Sequence, residues 1–129
     1  MTPREQIEEA LAAHGIADPV RVESHIRGCD LARPIFALLL QPGDRIDVWV
    51  RDRGSPGKYA APVGENPLRL GIMIEGRHLE TYEVTSELAV LCSIAATFPP
   101  GLVERVGGMG GGTQYLLPPD WLFNVERIR

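Results

Sequence analysis

The sequence predicts an α+β fold: one small domain in which a mixed or antiparallel sheet carries an N-terminal helix on one face. Three observations predict it. Residues 1–15 hold a capped amphipathic helix, and residues 34–50 and 79–96 hold apolar or alternating runs separated by turn signals. A third apolar stretch follows a run of glycines near residue 113. The length of 129 residues suits a single domain.

In the first element Thr2 suits the N-cap, Pro3 the first helical position, and Glu5 completes a capping box. Ile7, Ala10, Leu11 and His14 fall on one stripe, and Gly15 is a natural stop. This helix is expected to cover the core, with partner binding as the sharper alternative. Val20 and Val22 alternate as in a short strand, whereas Asp18 before Pro19 suits a helix start; both readings stay open. Arg27-Gly28-Cys29-Asp30 reads as a turn. Residues 34–40 are almost wholly apolar, Gln41-Pro42-Gly43-Asp44 is a strong turn signal, and Ile46, Val48 and Val50 share one face. A β-hairpin is expected there, its first strand central and its second half-buried.

Further on, residues 72–74 read as a short strand and residues 79–85 as another. Residues 88–96 are apolar and fit either a buried strand or a helix, until Phe98-Pro99-Pro100-Gly101 ends them. Pro118-Pro119-Asp120 is a turn, and residues 121–128 supply a last short element.

Two stretches stand apart from these elements. Residues 51–71 are a long Gly/Pro-rich segment carrying Arg51, Arg53, Lys58 and Arg69 around Tyr59. Long loops inside a compact domain are usually functional or disordered, and guanidiniums on such a loop suit a diphosphate or a carboxylate. An ordinary solvated loop is the plainer reading. The second stretch runs from Gly107 to Pro118. Five of the 14 glycines fall within residues 107–112, a concentration that suits either a linker or a backbone closing around something. Thr113, Gln114 and Tyr115 then lead into a strand, where successive side chains face opposite ways. The glycines are not followed by Lys-Ser/Thr, which excludes a P-loop. Pro118-Pro119 would break the helix that a dinucleotide fingerprint requires.

Composition excludes several classes. The net charge is −4 and the pI about 5.3, which argues against nucleic-acid binding through a basic surface. No apolar stretch is long enough to span a bilayer, so no membrane span is expected. The N-terminus lacks a basic region followed by an apolar one, so the expected location is cytoplasmic, or secreted or delivered by a route independent of a signal peptide. Cys29 and Cys92 are expected to be buried and reduced. With His14, His25 and His78 they show no metal-ligand spacing, and no metal is expected.

Three stretches carry a resemblance over about residues 52–118. Asp52-Arg53-Gly54-Ser55-Pro56-Gly57-Lys58-Tyr59-Ala60-Ala61-Pro62 looks like an Asp-Arg-x-Gly…Tyr-x-x-Pro loop. Thr81-Tyr82-Glu83-Val84 looks like a Tyr-x-Val strand, and Gly110-Gly111-Gly112-Thr113-Gln114-Tyr115 is similar to a Gly-Gly-Gly-Thr-Gln-Tyr signature. Together, in this order, they resemble the NAD glycohydrolase family typified by the tuberculosis necrotizing toxin. Residues 64–70 match that family's continuation only loosely, and the Asp-Arg loop is one residue short, so Arg51 competes with Arg53 for one role. The resemblance assigns residues 51–129 to the family-like region and does not extend to residues 1–50.

The resemblance implies hydrolysis of NAD, or NADP, to nicotinamide and ADP-ribose, with the dinucleotide as substrate and no cofactor. It further implies a toxin or effector and an immunity protein as inhibitor. Its implied catalytic residues are Gln114, which would hold the reacting ribose or the attacking water, Tyr59 beside the nicotinamide or ribose, and Arg53 on the diphosphate. Arg51, Arg69, Gly110, Gly111, Gly112 and Thr113 would complete the substrate site. His78 is a lesser candidate. Two other readings accompany this one: a catalytically degenerate homologue that binds NAD, ADP-ribose or a protein partner, and an ADP-ribosyltransferase, for which Glu83 and Glu104 are the carboxylates to consider.

Overall fold

The computed structural model describes residues 1–72, 74–97 and 110–129. Among the described residues, helices α1 (Pro3–Ala13) and α2 (Pro19–Arg27) precede seven strands: β1 (Phe36–Leu40), β2 (Arg45–Arg51), β3 (Tyr59–Pro62), β4 (Arg77–Val84), β5 (Leu88–Ile94), β6 (Thr113–Leu116) and β7 (Val125–Arg127). The strands form one antiparallel sheet in the order β1-β5-β6-β3-β2-β4-β7. This is the small α+β domain that the sequence predicts.

Helix α1 begins as its residues dictate. Thr2 accepts from the Glu5 amide, Glu5 bonds back to the Thr2 amide, and Pro3 occupies the first turn where no donor is missed. The alternative left open at residue 18 resolves to helix: Pro19 starts α2, and Asp18 is its N-cap without a side-chain cap bond. The two helices cover one face of the sheet. Ile7, Leu11, Ile16, Ile26, Cys29 and Ile35 pack there against Leu116, with Leu91 and Tyr59 at the margin.

The other face curls around a second core. Ile46, Val48 and Val50 of β2, Tyr82 and Val84 of β4, Leu88, Val90 and Cys92 of β5, and Tyr115 of β6 meet there, with Trp121 set edge-on to Tyr82. Both cysteines are free and buried.

The expected hairpin does not form. The turn at Gln41–Asp44 reverses the chain, with the Gln41 amide bonded to the Asp44 carboxylate at 2.7 Å, but β1 then pairs with β5 along its whole length. β1 is an edge strand, and β2 sits between β3 and β4. Asp44 and Gly43 are held by backbone bonds to Val84, so the turn serves to hook β2 onto β4 rather than to fold β1 against β2. Residues 88–96, left between strand and helix, are mainly strand. Ile72 and Ile74 lie outside any strand, just after a 3₁₀ turn (Pro67–Leu70) that is capped by Asn66. The last element is a 3₁₀ turn (Trp121–Asn124) followed by β7.

Candidate active site

A cleft of about 520 Å³ opens on the helix-covered face, where the end of α2 meets β6, β3 and β2. Such a volume lies in the range of small-molecule sites. Strand alternation determines what faces it. On β2 the core takes Ile46, Val48 and Val50, so Asp47, Trp49 and Arg51 turn to the cleft side. The pairings Ala61↔Asp47 and Arg51↔Arg77 put Tyr59 of β3 and Arg77 of β4 on the same side. On β6 Tyr115 enters the core and Gln114 faces the cleft.

The structure therefore brings Arg51, Tyr59 and Gln114 into one cleft and adds Lys58, Arg77, Trp49 and His25. Arg53, two residues past the strand end, is exposed and does not line it. The alternation of β2, which ends at Arg51, turns Arg51, and not Arg53, to the cleft.

Gly110, Gly111, Gly112 and Arg69 lie elsewhere. Arg69 donates to the Gly111 carbonyl at 2.9 Å, and its own carbonyl accepts from the Gly112 amide at 2.8 Å. Glu65 accepts from the Thr113 amide at 2.8 Å. A Cβ at Gly110 would sit 1.8 Å from the Ala96 carbonyl oxygen, and one at Gly112 2.4 Å from the Glu65 carboxylate. Gly110 also has φ +75°, and Gly111 φ +86°. Glycine is required at these positions because the chain closes on itself, on residues 95–97 and on the 3₁₀ turn. Gly110, Gly111, Gly112 and Thr113 do not line the cleft. Gly107, Gly108 and Glu104 lie outside the described residues.

Gln114 is held by its amide nitrogen, which donates to the Ser93 hydroxyl (3.1 Å), the Gly28 carbonyl (3.3 Å) and the Cys29 thiol (3.4 Å). A carbonyl accepts only, so the Gly28 bond fixes which end of the carboxamide is nitrogen. Among the described residues no hydrogen bond uses the Gln114 carbonyl oxygen. The side chain thus offers the site a fixed acceptor.

Tyr59 stacks on His25, ring centroids 5.7 Å apart, with its hydroxyl 2.9 Å from the His25 Nδ1. Burial pushes the Tyr59 phenol well above its ordinary value, so it stays protonated. Burial, then the charges of Lys58, Arg21 and His14, push the His25 pKa down and favour the neutral ring. Asp47 is buried on the cleft floor and already engaged, by the Thr81 hydroxyl at 2.8 Å and the Gly64 amide at 3.1 Å.

His25 and Trp49 escape a sequence reading. Neither stands in a motif, and the element carrying His25 is ambiguous between strand and helix. The period-2 pattern of β2 is the one signal that could have turned Trp49 and Arg51 to a common face. His78 lies outside the cleft, bonded to Asp52 and Glu80, and Glu83 pairs with Arg45 at 3.3 Å. Among the described residues no three potential metal ligands come together, and no helix is long and apolar enough to cross a membrane.

No family model matches the chain, and no curated protein matches it. Several solved chains share its fold, among them the following two. Tse6, determined in complex with Tsi6, aligns with a TM-score of 0.71 over 98% of this chain and 94% of its own, at 19% identity. Rhs1-CT, determined in complex with its cognate immunity protein RhsI1, aligns with a TM-score of 0.55 over 79% of this chain and 80% of its own, at 18% identity.

Proposed function

We propose that the chain is an NAD glycohydrolase that cleaves NAD, with NADP as the second substrate to test, into nicotinamide and ADP-ribose. The observation that supports this reading is the convergence of Arg51, Tyr59 and Gln114, from segments far apart in sequence, on one cleft. Water attacks the ribose C1′ as the C1′–N bond breaks, and the bonding pair leaves with the pyridinium nitrogen. Nicotinamide departs neutral, so the leaving group needs no acid, unlike a sugar alkoxide. The proton lost by the attacking water passes to solvent. What the protein must supply is binding, orientation and a fixed dipole beside an oxocarbenium-like transition state.

The cleft residues suit those tasks. Arg51, Lys58 and Arg77 provide the positive side for a diphosphate. Trp49 offers a flat apolar surface for a ring. The free carbonyl of Gln114 accepts from a ribose hydroxyl or from the attacking water, and its negative end favours the developing positive charge. Tyr59 adds a neutral hydroxyl to the same cleft.

Both structural neighbours were determined with a partner protein, one of them a cognate immunity protein. This supports extending the proposal to a delivered toxin domain with an inhibitory protein partner. The test is direct: the purified chain is incubated with NAD and with NADP, with and without acceptor protein, and nicotinamide and free ADP-ribose are followed by chromatography. Equal release of both products supports hydrolysis, and ADP-ribose retained on the acceptor supports transfer. No nicotinamide release at high protein concentration rejects both and leaves the binding-only homologue.

A further inference from the structure

We propose that the end of α2, residues 25–29, is the positioning device of the active site: His25 fixes the Tyr59 hydroxyl, and the Gly28 carbonyl with the Cys29 thiol fixes the Gln114 carboxamide. The proposal rests on the reading of the cleft as an NAD site, and it assigns a function to the part of the chain that the motif resemblance does not reach.

The segment is built as a rigid platform. The Ala96 amide donates to the Gly28 carbonyl at 3.0 Å, the Asp30 amide donates to the Ile94 carbonyl at 2.8 Å, and Cys29 forms an antiparallel bridge with Ala95. Ile26 and Cys29 are buried beneath it in the helix–sheet core. The end of α2 is therefore tied to the end of β5 through backbone, before any side chain enters the cleft. From this anchor the Gly28 carbonyl, already bonded to Ala96, uses its second lone pair on Gln114. Ser93, directly opposite Gln114 in the β5–β6 register, completes the grip.

The His25–Tyr59 pair has a defined hydrogen inventory. If the phenol donates to Nδ1, the imidazole carries its hydrogen on Nε2; if Nδ1–H donates, the phenol hydrogen is free. Either way one donor of the pair remains unspent in this bond and the pair stays neutral. Neutrality matters because an imidazolium beside a developing oxocarbenium would oppose the transition state. Burial and the surrounding cations keep it neutral: Arg21 on α2, His14 at the end of α1, and Lys58 beside Tyr59, with Arg51 and Arg77 farther along the cleft and Asp47 on its floor the carboxylate there. His25 is a positioning residue acting through Tyr59.

Two measurements test the device. In the first, kcat and KM for NAD hydrolysis are followed over about pH 5–9 for the wild type, His25→Phe and His25→Gln. His25→Phe keeps a flat ring on Tyr59 without the hydrogen bond, and its kcat should fall roughly 10- to 100-fold with KM within about threefold. His25→Gln restores a neutral partner and should recover most of the rate. The wild-type kcat should decline toward acid as His25 gains its proton, and both variants should lack that limb. Wild-type turnover in His25→Phe overturns the proposal.

The second measurement does not depend on activity. The Gln114 side-chain amide signals, identified by their loss in Gln114→Ala, should form a resolved pair, slow to exchange with water, that shifts in Cys29→Ala. A pair that exchanges like a solvent-exposed glutamine overturns the device. A held Gln114 amide in a wild-type protein that releases no nicotinamide rejects the NAD reading and leaves the positioning geometry standing.

Discussion

The molecule contains two polar clusters built around a histidine, on opposite sides of the sheet, and they are tuned in opposite directions. In the cleft, His25 is buried among cations and bonded to a phenol, and its pKa is pushed down. Across β4, His78 lies between two carboxylates, Glu80 at 2.6 Å and Asp52 at 3.0 Å, whose hydrogen bonds push its pKa up. Glu80 also accepts from Tyr82 and lies 3.6 Å from Arg127, so the side chains of His78, Asp52, Glu80, Tyr82 and Arg127 interlock there. The Tyr82 bond, followed by His78 and Arg127, holds the Glu80 carboxyl below its usual range against the opposing effect of burial. Burial and Glu80 together raise the Tyr82 phenol to about 12. The contrast separates chemistry from architecture. The cleft keeps the His25–Tyr59 pair and Gln114 neutral with spare bonding capacity, whereas the other cluster engages ionised groups with each other at the margin of the core.

The largest expected effect comes from removing the spare acceptor. Gln114→Ala should lower turnover on the order of 10²-fold or more while substrate affinity changes much less, because the cationic side of the cleft is intact. Thermal melting should stay close to wild type, since the side chain is only partly buried and contributes little packing. A variant with unchanged turnover would remove the cleft from the chemistry and dissolve the contrast.

The arginines give the next effect. Arg51→Ala should raise KM for NAD about tenfold through loss of a charged contact, whereas Arg53→Ala should change KM less than about twofold. The reverse order would mean that the loop after β2 closes differently around substrate.

Tyr82→Phe probes the opposite side. It leaves the ring packed edge-on against Trp121 but removes the hydroxyl that Glu80 accepts from. It should cost about 1.5–3 kcal/mol in urea unfolding, the value of a bond to a charged group, with kcat unaffected. A loss of activity without a loss of stability would show that the charge cluster reaches the active site.

The sequence made these two regions unequally readable. The motif residues Tyr59 and Gln114 and the pair Arg51/Arg53 stand out locally, because arginines on a long loop and a glutamine after glycines are visible without a fold. What joins them is not local. His25 belongs to a segment in which Val20 and Val22 suggest a strand while Asp18-Pro19 suggests a helix, and only docking on Leu116 and Leu91 selects the helix. β1 and β2 carry every sign of a hairpin, yet β1 finds β5 fifty residues on, since turn chemistry reverses a chain without choosing a partner strand. The glycines were legible as a tight approach, but the approaching surface is the protein's own Ala96 carbonyl and Glu65 carboxylate. The capping box of α1 was fully readable because both of its partners lie within three residues.

The smallest effect is the pH dependence of stability from His78, and its sign follows from the raised pKa. A histidine that binds its proton more tightly in the folded state stabilises the fold fully below its unfolded pKa, about 6.5. The contribution is lost as pH rises through the higher folded value. Glu80 works the other way: its folded pKa is lowered, so its contribution is present above the unfolded value of about 4.5 and lost in acid. Between these limits the carboxylate is charged and the imidazolium has its partner. The His78 side chain is 41% exposed, so solvent screens the pair and the effect is modest. The melting temperature of the wild type should therefore fall relative to His78→Gln between pH 6 and pH 9, by about 1–2 °C. The two melting curves, taken at matched ionic strength, give the difference directly. A wild-type melting temperature that rises over this interval relative to the variant would mean that His78 is held neutral, and the opposition between the two histidines would fail at its charged end.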